Sequence, residues 1–171
     1  MDHADYDDGP RDATDGEWRS ATPQLIASLQ PRLDEELIEH LTSWAREDAQ
    51  ALGHDQIRPE HILLGLLRDR DDRTGQLLGA LGITIELARA RARAAVSSAE
   101  LSADEIALTP AAEKVFKVAR INASLGSNKV GAEHILQGLA AEHTLLEYGV
   151  TTERLGEEVR RVLADEATAG D

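Results

Sequence analysis

The sequence predicts an all-α fold, two four-helix units in tandem related by pseudo-symmetry, behind an acidic and disordered N-terminal tail. Three observations predict it. The decapeptide Ile57-Arg58-Pro59-Glu60-His61-Ile62-Leu63-Leu64-Gly65-Leu66 returns 73 residues later as Val130-Gly131-Ala132-Glu133-His134-Ile135-Leu136-Gln137-Gly138-Leu139, with Leu52-Gly53 and Leu125-Gly126 preceding the two copies at the same offset. Apolar residues beyond the tail recur every three or four positions, the period of an amphipathic helix. No segment alternates apolar and polar residues as a half-buried strand does. A repeat of this kind marks two copies of one supersecondary unit, so a site in one copy is expected to have a twin in the other.

The elements follow in order. Residues 1–32 mix Asp, Gly, Pro, Ser and Thr without a period and read as a disordered tail, in which Trp18 and Leu25-Ile26 are the only candidate docking segment. The double repeat is placed at 33–167, with repeat one over about 34–97, a linker over 98–107 and repeat two over about 108–165. In repeat one, Leu33, Leu37, Leu41, Trp44, Ala45, Ala49 and Leu52 make the first stripe, which Gly53 stops. Pro59 opens the second helix, where its missing N–H costs nothing. That helix carries Ile62, Leu63, Leu66 and Leu67 inward and dissolves in the charged run Arg68–Arg73. The third helix holds Leu77, Leu78 and Leu81 and ends at Gly82. Thr84 caps the fourth, with Glu86 in its first turn. Repeat two restarts at Thr109-Pro110. Its first stripe is Val115, Phe116, Val118, Ala119 and Leu125, and the Glu133-His134 helix follows. A short helix with Leu145 and Leu146 ends at Gly149, and Thr151 caps a last helix that turns Leu155, Val159, Val162 and Leu163 inward. The motif glycine and the closing glycine are 17 residues apart in copy one (Gly65, Gly82) and 11 apart in copy two (Gly138, Gly149), so copy two has lost a loop or part of a helix.

Composition narrows the function classes. With 171 residues the chain can bury one ordinary core, and without cysteine it has neither disulfides nor thiolate metal sites. No apolar run approaches the ~20 residues of a membrane span, and the acidic start lacks the features of a secretory signal. The expectation is a cytoplasmic protein with no membrane partner. Net charge is −14, of which −8 falls in residues 1–40. Nucleic-acid binding draws on surplus Lys and Arg to displace counterions, and aromatics for base stacking are only 3% of the chain. A nucleic-acid partner, and with it a transcription regulator, is disfavoured.

The duplicated pattern resembles the amino-terminal double repeat of Clp ATPases, of the ClpC and ClpA type. That family ends a first helix in Leu-Gly-His and begins the next with Gly-Thr-Glu-His-Ile-Leu-x-Gly-Leu. Here Leu52-Gly53-His54 precedes Arg58-Pro59-Glu60-His61-Ile62-Leu63, and Leu125-Gly126-Ser127 precedes Gly131-Ala132-Glu133-His134-Ile135-Leu136. The resemblance runs over about residues 34–165 and implies the Clp amino-terminal domain fold. No Gly-x-x-x-x-Gly-Lys-Ser/Thr occurs, so the phosphate-cradling loop of the ATPase modules is missing from these residues. The resemblance therefore implies a stand-alone recognition domain without the motor.

In the ClpC branch the glutamates matching Glu60 and Glu133 belong to pockets for phosphorylated arginine. The resemblance extends such a site to Ile57, Arg58 and Pro59 around Glu60, and to Val130, Gly131 and Ala132 around Glu133. A carboxylate can pair with guanidinium donors in a fork, and a phosphoryl group suits the free N–H groups of a helix start. The helix dipole alone also favours a first-turn Glu. The chain departs from the family at Gly-Thr, which has become Arg58-Pro59 in one copy and Gly131-Ala132 in the other; copy two is the better preserved. His61 and His134 read as hydrogen-bonded core residues rather than metal ligands, because neighbours on a helix point about 100° apart. The Arg89, Arg91, Arg93 series reads as a solvated face.

The expected function is a non-catalytic binding module of the Clp protease system with no cofactor. It recognises substrates, adaptors or small ligands, phosphoarginine among them, as an adaptor or as a decoy and sensor; partners are the Clp ATPase, its substrates and adaptors, phosphoarginine-bearing proteins or a peptide. The competing reading is a helical metal-dependent hydrolase built on the Glu-His pairs.

Overall fold

The computed structural model describes residues 35–69, 71–95, 106–126 and 129–170, all within one unit spanning Leu33–Asp171. The expectations of a disordered tail, of a docking segment at Trp18 and Leu25-Ile26, of Leu33 in the first stripe and of a linker over 98–105 lie outside the described residues. Copy one consists of α1 (Glu36–Ala51), β1 (Gln56–Ile57), α2 (Pro59–Arg68), α3 (Asp72–Ala80) and α4 (Ile85–Ala94). Copy two consists of β2 (Ala107–Leu108), α5 (Pro110–Ser124), α6 (Ala132–Ala141), a 3₁₀ helix (Thr144–Tyr148) and α7 (Thr152–Ala169). The fold is all-α, as the period predicts.

The helix boundaries have local causes. Thr84, Thr109 and Thr151 each accept a hydrogen bond from a first-turn N–H, at 3.3, 3.2 and 3.2 Å, which satisfies a donor the helix cannot. Gly53 and Gly82 stop α1 and α3 at φ of 73° and 70°, conformations that cost a side chain energy. The amides after them, His54 and Ile83, then bond back to Ala49 and Leu78 at 2.9 and 3.0 Å. The lost residues of copy two convert its third helix from an α-helix to the 3₁₀ turn, in which Leu145 is buried but Leu146 is 51% exposed. Leu125 at 82% and Leu163 at 41% exposure also face outward rather than inward. Leu125 caps the end of α5, and Leu163 follows Val162, the last buried residue of α7, so in both cases the apolar stripe has run past its partner.

Two features escape the periodicity. Gln56–Ile57 and Ala107–Leu108 pair in parallel, a two-residue bridge that staples the start of copy two to copy one and takes Ala107 out of the expected linker. The copies also share one core rather than two: Leu41, Ile62, Leu66 and Leu77 pack in the same cluster as Val115, Ile135, Leu139 and Leu155. Within that core each third element crosses over. Helix α3 of copy one packs on α6 and α7 of copy two, while Tyr148 of copy two's 3₁₀ helix packs on the Leu64, Ala88 and Ala92 cluster of copy one. Glu35, just before α1, adds a bidentate pair to Arg120 of α5 at 2.9 and 3.0 Å.

The motif glycines are where helices touch. In copy one, a Cβ on Gly65 would meet Leu41 Cδ2 at 3.3 Å; in copy two, a Cβ on Gly138 would lie 2.3 Å from the Val115 carbonyl oxygen. Helices α5 and α6 therefore approach backbone to backbone, whereas α1 and α2 leave room for a side chain between them.

Candidate functional site

Each motif helix begins from an extended residue, Arg58 (φ −106°, ψ 168°) or Gly131 (φ −104°, ψ 175°). Neither supplies a capping side chain to the helix. The histidine three residues on turns back instead: His61 Nδ1 accepts from the Arg58 N–H at 2.9 Å, and His134 Nδ1 from the Gly131 N–H at 3.0 Å. This is the reciprocal half of a capping box with imidazole in the place of Glu or Gln. It explains why Glu-His recurs as a pair: the histidine closes the turn, and the preceding glutamate is left to point elsewhere.

In copy one the capping histidine is also half of a buried pair. His61 Nε2 lies 2.7 Å from His54 Nδ1. Because His61 Nδ1 accepts, its proton sits on Nε2 and is donated to His54. Burial, aided by the neighbouring His54 and the Arg58 charge, pushes the His61 pKa down to about 4. His54 is lowered too, by burial and then Arg58. The copy-two counterpart of His54 is Ser127, outside the described residues. His61 is the hydrogen-bonded core residue expected, 1% exposed; His134 is half-buried at the edge of a cleft.

Glu60 and Glu133 occupy the second position of their helices. Glu60 Oε2 is sealed from solvent and has no hydrogen-bond partner among the described residues. Tyr148 of the 3₁₀ helix stands within electrostatic reach of Glu60; burial, before any neighbouring charge, pushes its hydroxyl to a pKa of about 12, and Arg91 of α4 stacks 5.0 Å from its ring. Tyr148 Oη and Arg91 Nε are also buried without a partner among the described residues. The expected solvated arginine face therefore holds only for Arg89 and Arg93; Arg91 turns inward, since positions two apart on a helix cannot share a face. Arg58 stands aside from Glu60, its Nη1 donating to the Ala95 carbonyl at 3.3 Å. Pro59 is buried at the first position of α2, and Ile57 is fully buried in β1.

Glu133 is more enclosed, at 8% exposure. Its carboxylate folds back over Gly131, so closely that a Cβ there would lie 2.5 Å from Oε2. Oε2 has no hydrogen-bond partner among the described residues, and Oε1 lies 3.7 Å from Arg73 Nη1 and 3.5 Å from His134 Nδ1. Arg73, from α3 of copy one, grips Glu166 of α7 with a fork: Nε donates to Oε1 at 2.8 Å and Nη2 pairs with Oε2. Glu166 in turn raises the Arg73 pKa, and Arg73 lowers that of Glu166. Glu133, Arg73 and Glu166 line a cavity of about 350 Å³ with Asp71, Lys129 and Gly131. Ala132 also lines it, whereas Val130 is 1% exposed and belongs to the core.

Of the residues singled out from sequence, Gly131, Ala132 and Glu133 thus share one cavity of mixed charge. Ile57 and Val130 support from the core. Arg73, Lys129, Glu166, Arg91 and Tyr148 were not anticipated; Lys129 adjoins the motif and was within reach, but Arg73 lies far from Glu133 in sequence and carries no signal of its destination. A second cleft, about 530 Å³, opens between α5, α6 and α7 and is lined by Leu125, His134, Gln137 and Leu155. Among the described residues no group of three or more His, Cys, Asp or Glu is arranged to hold a metal ion, and no helix is long and apolar enough to cross a membrane.

Residues 32–165 match the family model of the Clp repeat (R) N-terminal domain. The chain belongs to that family. The Clp repeat domain is 34% identical over 131 residues to the negative regulator of genetic competence ClpC/MecB of Bacillus subtilis, a match that covers 72% of this chain and 16% of that protein. It is 32% identical over 134 residues to the chaperone protein ClpB of Oceanobacillus iheyensis, covering 74% of this chain and 17% of that one. The chain thus spans a small fraction of the relatives it matches. Among solved structures, the Hsp104 N-terminal domain of Candida albicans superposes with a TM-score of 0.60 at 17% identity, covering 74% of this chain and 88% of that one. A ClpV N-domain solved in complex with a VipB peptide gives 0.59 at 17% identity, covering 82% and 92%. These similarities establish the same fold.

Proposed function

We propose that this Clp repeat domain is a non-catalytic binding module of the Clp protease system, recognising substrates, adaptors or small ligands, with phosphoarginine as the ligand of its motif sites. It serves as an adaptor or as a decoy and sensor. The division into a tail over 1–32 and two repeats within 33–167 belongs to the same proposal. One observation carries it: Glu133, nine-tenths buried, presents an unpartnered carboxylate oxygen at the start of a helix in a cavity that also holds cations. A carboxylate kept buried at a cost wants a cationic partner, and a helix start with Arg73 and Lys129 beside it suits an anion. A phosphoguanidinium carries both charges. The ClpV N-domain that shares this fold was solved with a VipB peptide, which supports a peptide- or protein-binding role for the fold.

The hydrolase reading gains nothing from the Glu60-His61 pair, because His61 spends both ring nitrogens on hydrogen bonds. The test is a calorimetric titration with free phosphoarginine on the wild type, Glu60→Ala and Glu133→Ala, followed by a competition with ClpC for the same ligand. Binding that weakens most with Glu133→Ala supports the reading. No heat at millimolar ligand would remove phosphoarginine and leave protein recognition, to be read by direct capture of the Clp ATPase.

A further inference from the structure

We infer that Arg73, contributed by copy one, is the specificity-determining residue of the copy-two site: it blocks Glu133 toward plain cations and admits a ligand that carries an anion beside its guanidinium. The inference rests on the phosphoarginine reading of the site and adds to it the residue that sets selectivity.

The occupancy of the two side chains carries the argument. Glu133 Oε2 is sealed from solvent and makes no hydrogen bond among the described residues, while Oε1 faces Arg73 Nη1 at 3.7 Å, beyond hydrogen-bond reach. One carboxylate oxygen is therefore sealed without a hydrogen bond, and the other is held by a long ion pair to Arg73. What stands over it is a guanidinium, and that guanidinium is held from the other side by its fork to Glu166. The fork uses Nε and Nη2, and leaves Nη1 directed at the cavity. An arginine has five N–H donors, so Arg73 has capacity for a further acceptor.

Two ligand classes meet this arrangement differently. A plain guanidinium or ammonium must take Glu133 from Arg73 and then sit against a like charge with nothing to offer it. A phosphoguanidinium takes Glu133 with its cationic end and gives Arg73 a phosphoryl oxygen in exchange, a charge-assisted bond of the stronger kind. Arg73 can make this exchange by a side-chain movement: both it and Glu166 are partly exposed, at 34% and 40% of their side chains, whereas Glu133 is buried against Gly131. Copy one is built differently: its nearby arginine, Arg91, comes from the same copy and stacks on the Tyr148 ring. The element that crosses over to Glu60 is the 3₁₀ helix, and it brings Tyr148 rather than an arginine. The two sites of the repeat are thus expected to differ in selectivity although their motifs agree.

The test is a set of NMR titrations of the full chain with phosphoarginine, arginine and inorganic phosphate, reading the Gly131 and Ala132 amides and the Arg73 Nε–H. In the wild type, phosphoarginine should shift all three signals and arginine should bind at least about tenfold more weakly, as expected for loss of one charge-assisted bond. Arg73→Gln should collapse that preference from both sides, weakening phosphoarginine and tightening arginine, and Arg73→Lys should retain part of it. An unchanged preference in Arg73→Gln, with a silent Arg73 Nε–H in the wild type, overturns the inference and leaves the phosphoarginine reading standing. If phosphoarginine leaves Gly131 and Ala132 unmoved while inorganic phosphate shifts the Arg73 Nε–H, the phosphoarginine reading falls and the anion role of Arg73 is supported. Equal weakening of both ligands in Arg73→Gln reduces Arg73 to a structural part and overturns the inference. The wild-type Arg73 signal keeps the test decisive if the variant fails to fold.

Discussion

Gly65 and Gly138 occupy the same slot of the repeated motif, yet replacing each with alanine is expected to have different consequences. A Cβ at Gly138 would sit 2.3 Å from the Val115 carbonyl oxygen and 3.0 Å from its carbonyl carbon and Cα. The obstacle is backbone, so α5 and α6 must separate by about 1 Å to admit it, and overpacking of this sort costs ~3 kcal/mol at the upper end of its usual range. Alanine returns ~1 kcal/mol of helix propensity. The net loss is about 2 kcal/mol. At Gly65 the nearest atom is Leu41 Cδ2 at 3.3 Å, the end of a side chain that can yield a few tenths of an ångström. There the propensity gain offsets the crowding, and the net change is about zero. Urea unfolding followed by far-UV circular dichroism measures both; with a slope of ~2 kcal/mol/M, Gly138→Ala should lower the midpoint by ~1 M and Gly65→Ala should leave it in place. A Gly138→Ala protein as stable as the wild type would show that the two helices do not touch through their backbones.

Stability should depend on acidity through the His61–His54 pair. His61 has its pKa lowered to about 4 from 6.5, so between those values the unfolded chain binds a proton that the folded chain refuses. This contribution is complete above about pH 6.5, declines as pH falls toward about 4 and is constant below; at about pH 5 it has cost ~2 kcal/mol relative to about pH 7. His54 shifts in the same direction. A flat urea midpoint over that window would refute the neutral buried pair. Gly131→Ala is expected to leave the fold intact, because what its Cβ meets at 2.5 Å is the movable end of Glu133, but to expel that carboxylate and weaken phosphoarginine at copy two; wild-type affinity in this variant would contradict the placement of Glu133. Thr109→Ala removes the acceptor of the Ala112 N–H at the start of α5 and should cost ~1 kcal/mol in the same unfolding assay.

Much of the fold was legible because its determinants are local. Thr84, Thr109 and Thr151 announce helix starts through their own hydroxyls, and Gly53, Gly82 and Gly149 announce stops through a backbone conformation that other residues resist. The apolar period located Leu41, Ile62, Leu77, Val115, Phe116 and Leu155 in the core. It misplaced Leu125, Leu146 and Leu163, because period says which face of a helix is apolar and not where along its length the partner ends. It likewise read Arg91 with Arg89 and Arg93, although the angle between alternate helical positions separates them. The Glu-His pair marked two helix starts, since a first-turn glutamate is a property of a few consecutive residues; that the histidine closes the turn came from the structure. The groups that give the site its charge were not legible. Arg73 reads as part of a solvated run, and Tyr148 as part of a short helix.

By itself, then, the sequence determined that two copies of one helical unit exist, where most of their helices begin or end, and that each copy carries a Glu-His pair in a first helical turn, because these depend on contacts within a few residues. Only the tertiary structure decided that the third element of each copy packs on the other, that Gly138 must be glycine while Gly65 need not be, and that Arg73 stands over Glu133. Those outcomes depend on helix-to-helix approach across the shared core, and a distance between residues remote in sequence leaves no trace in the periodicity of either.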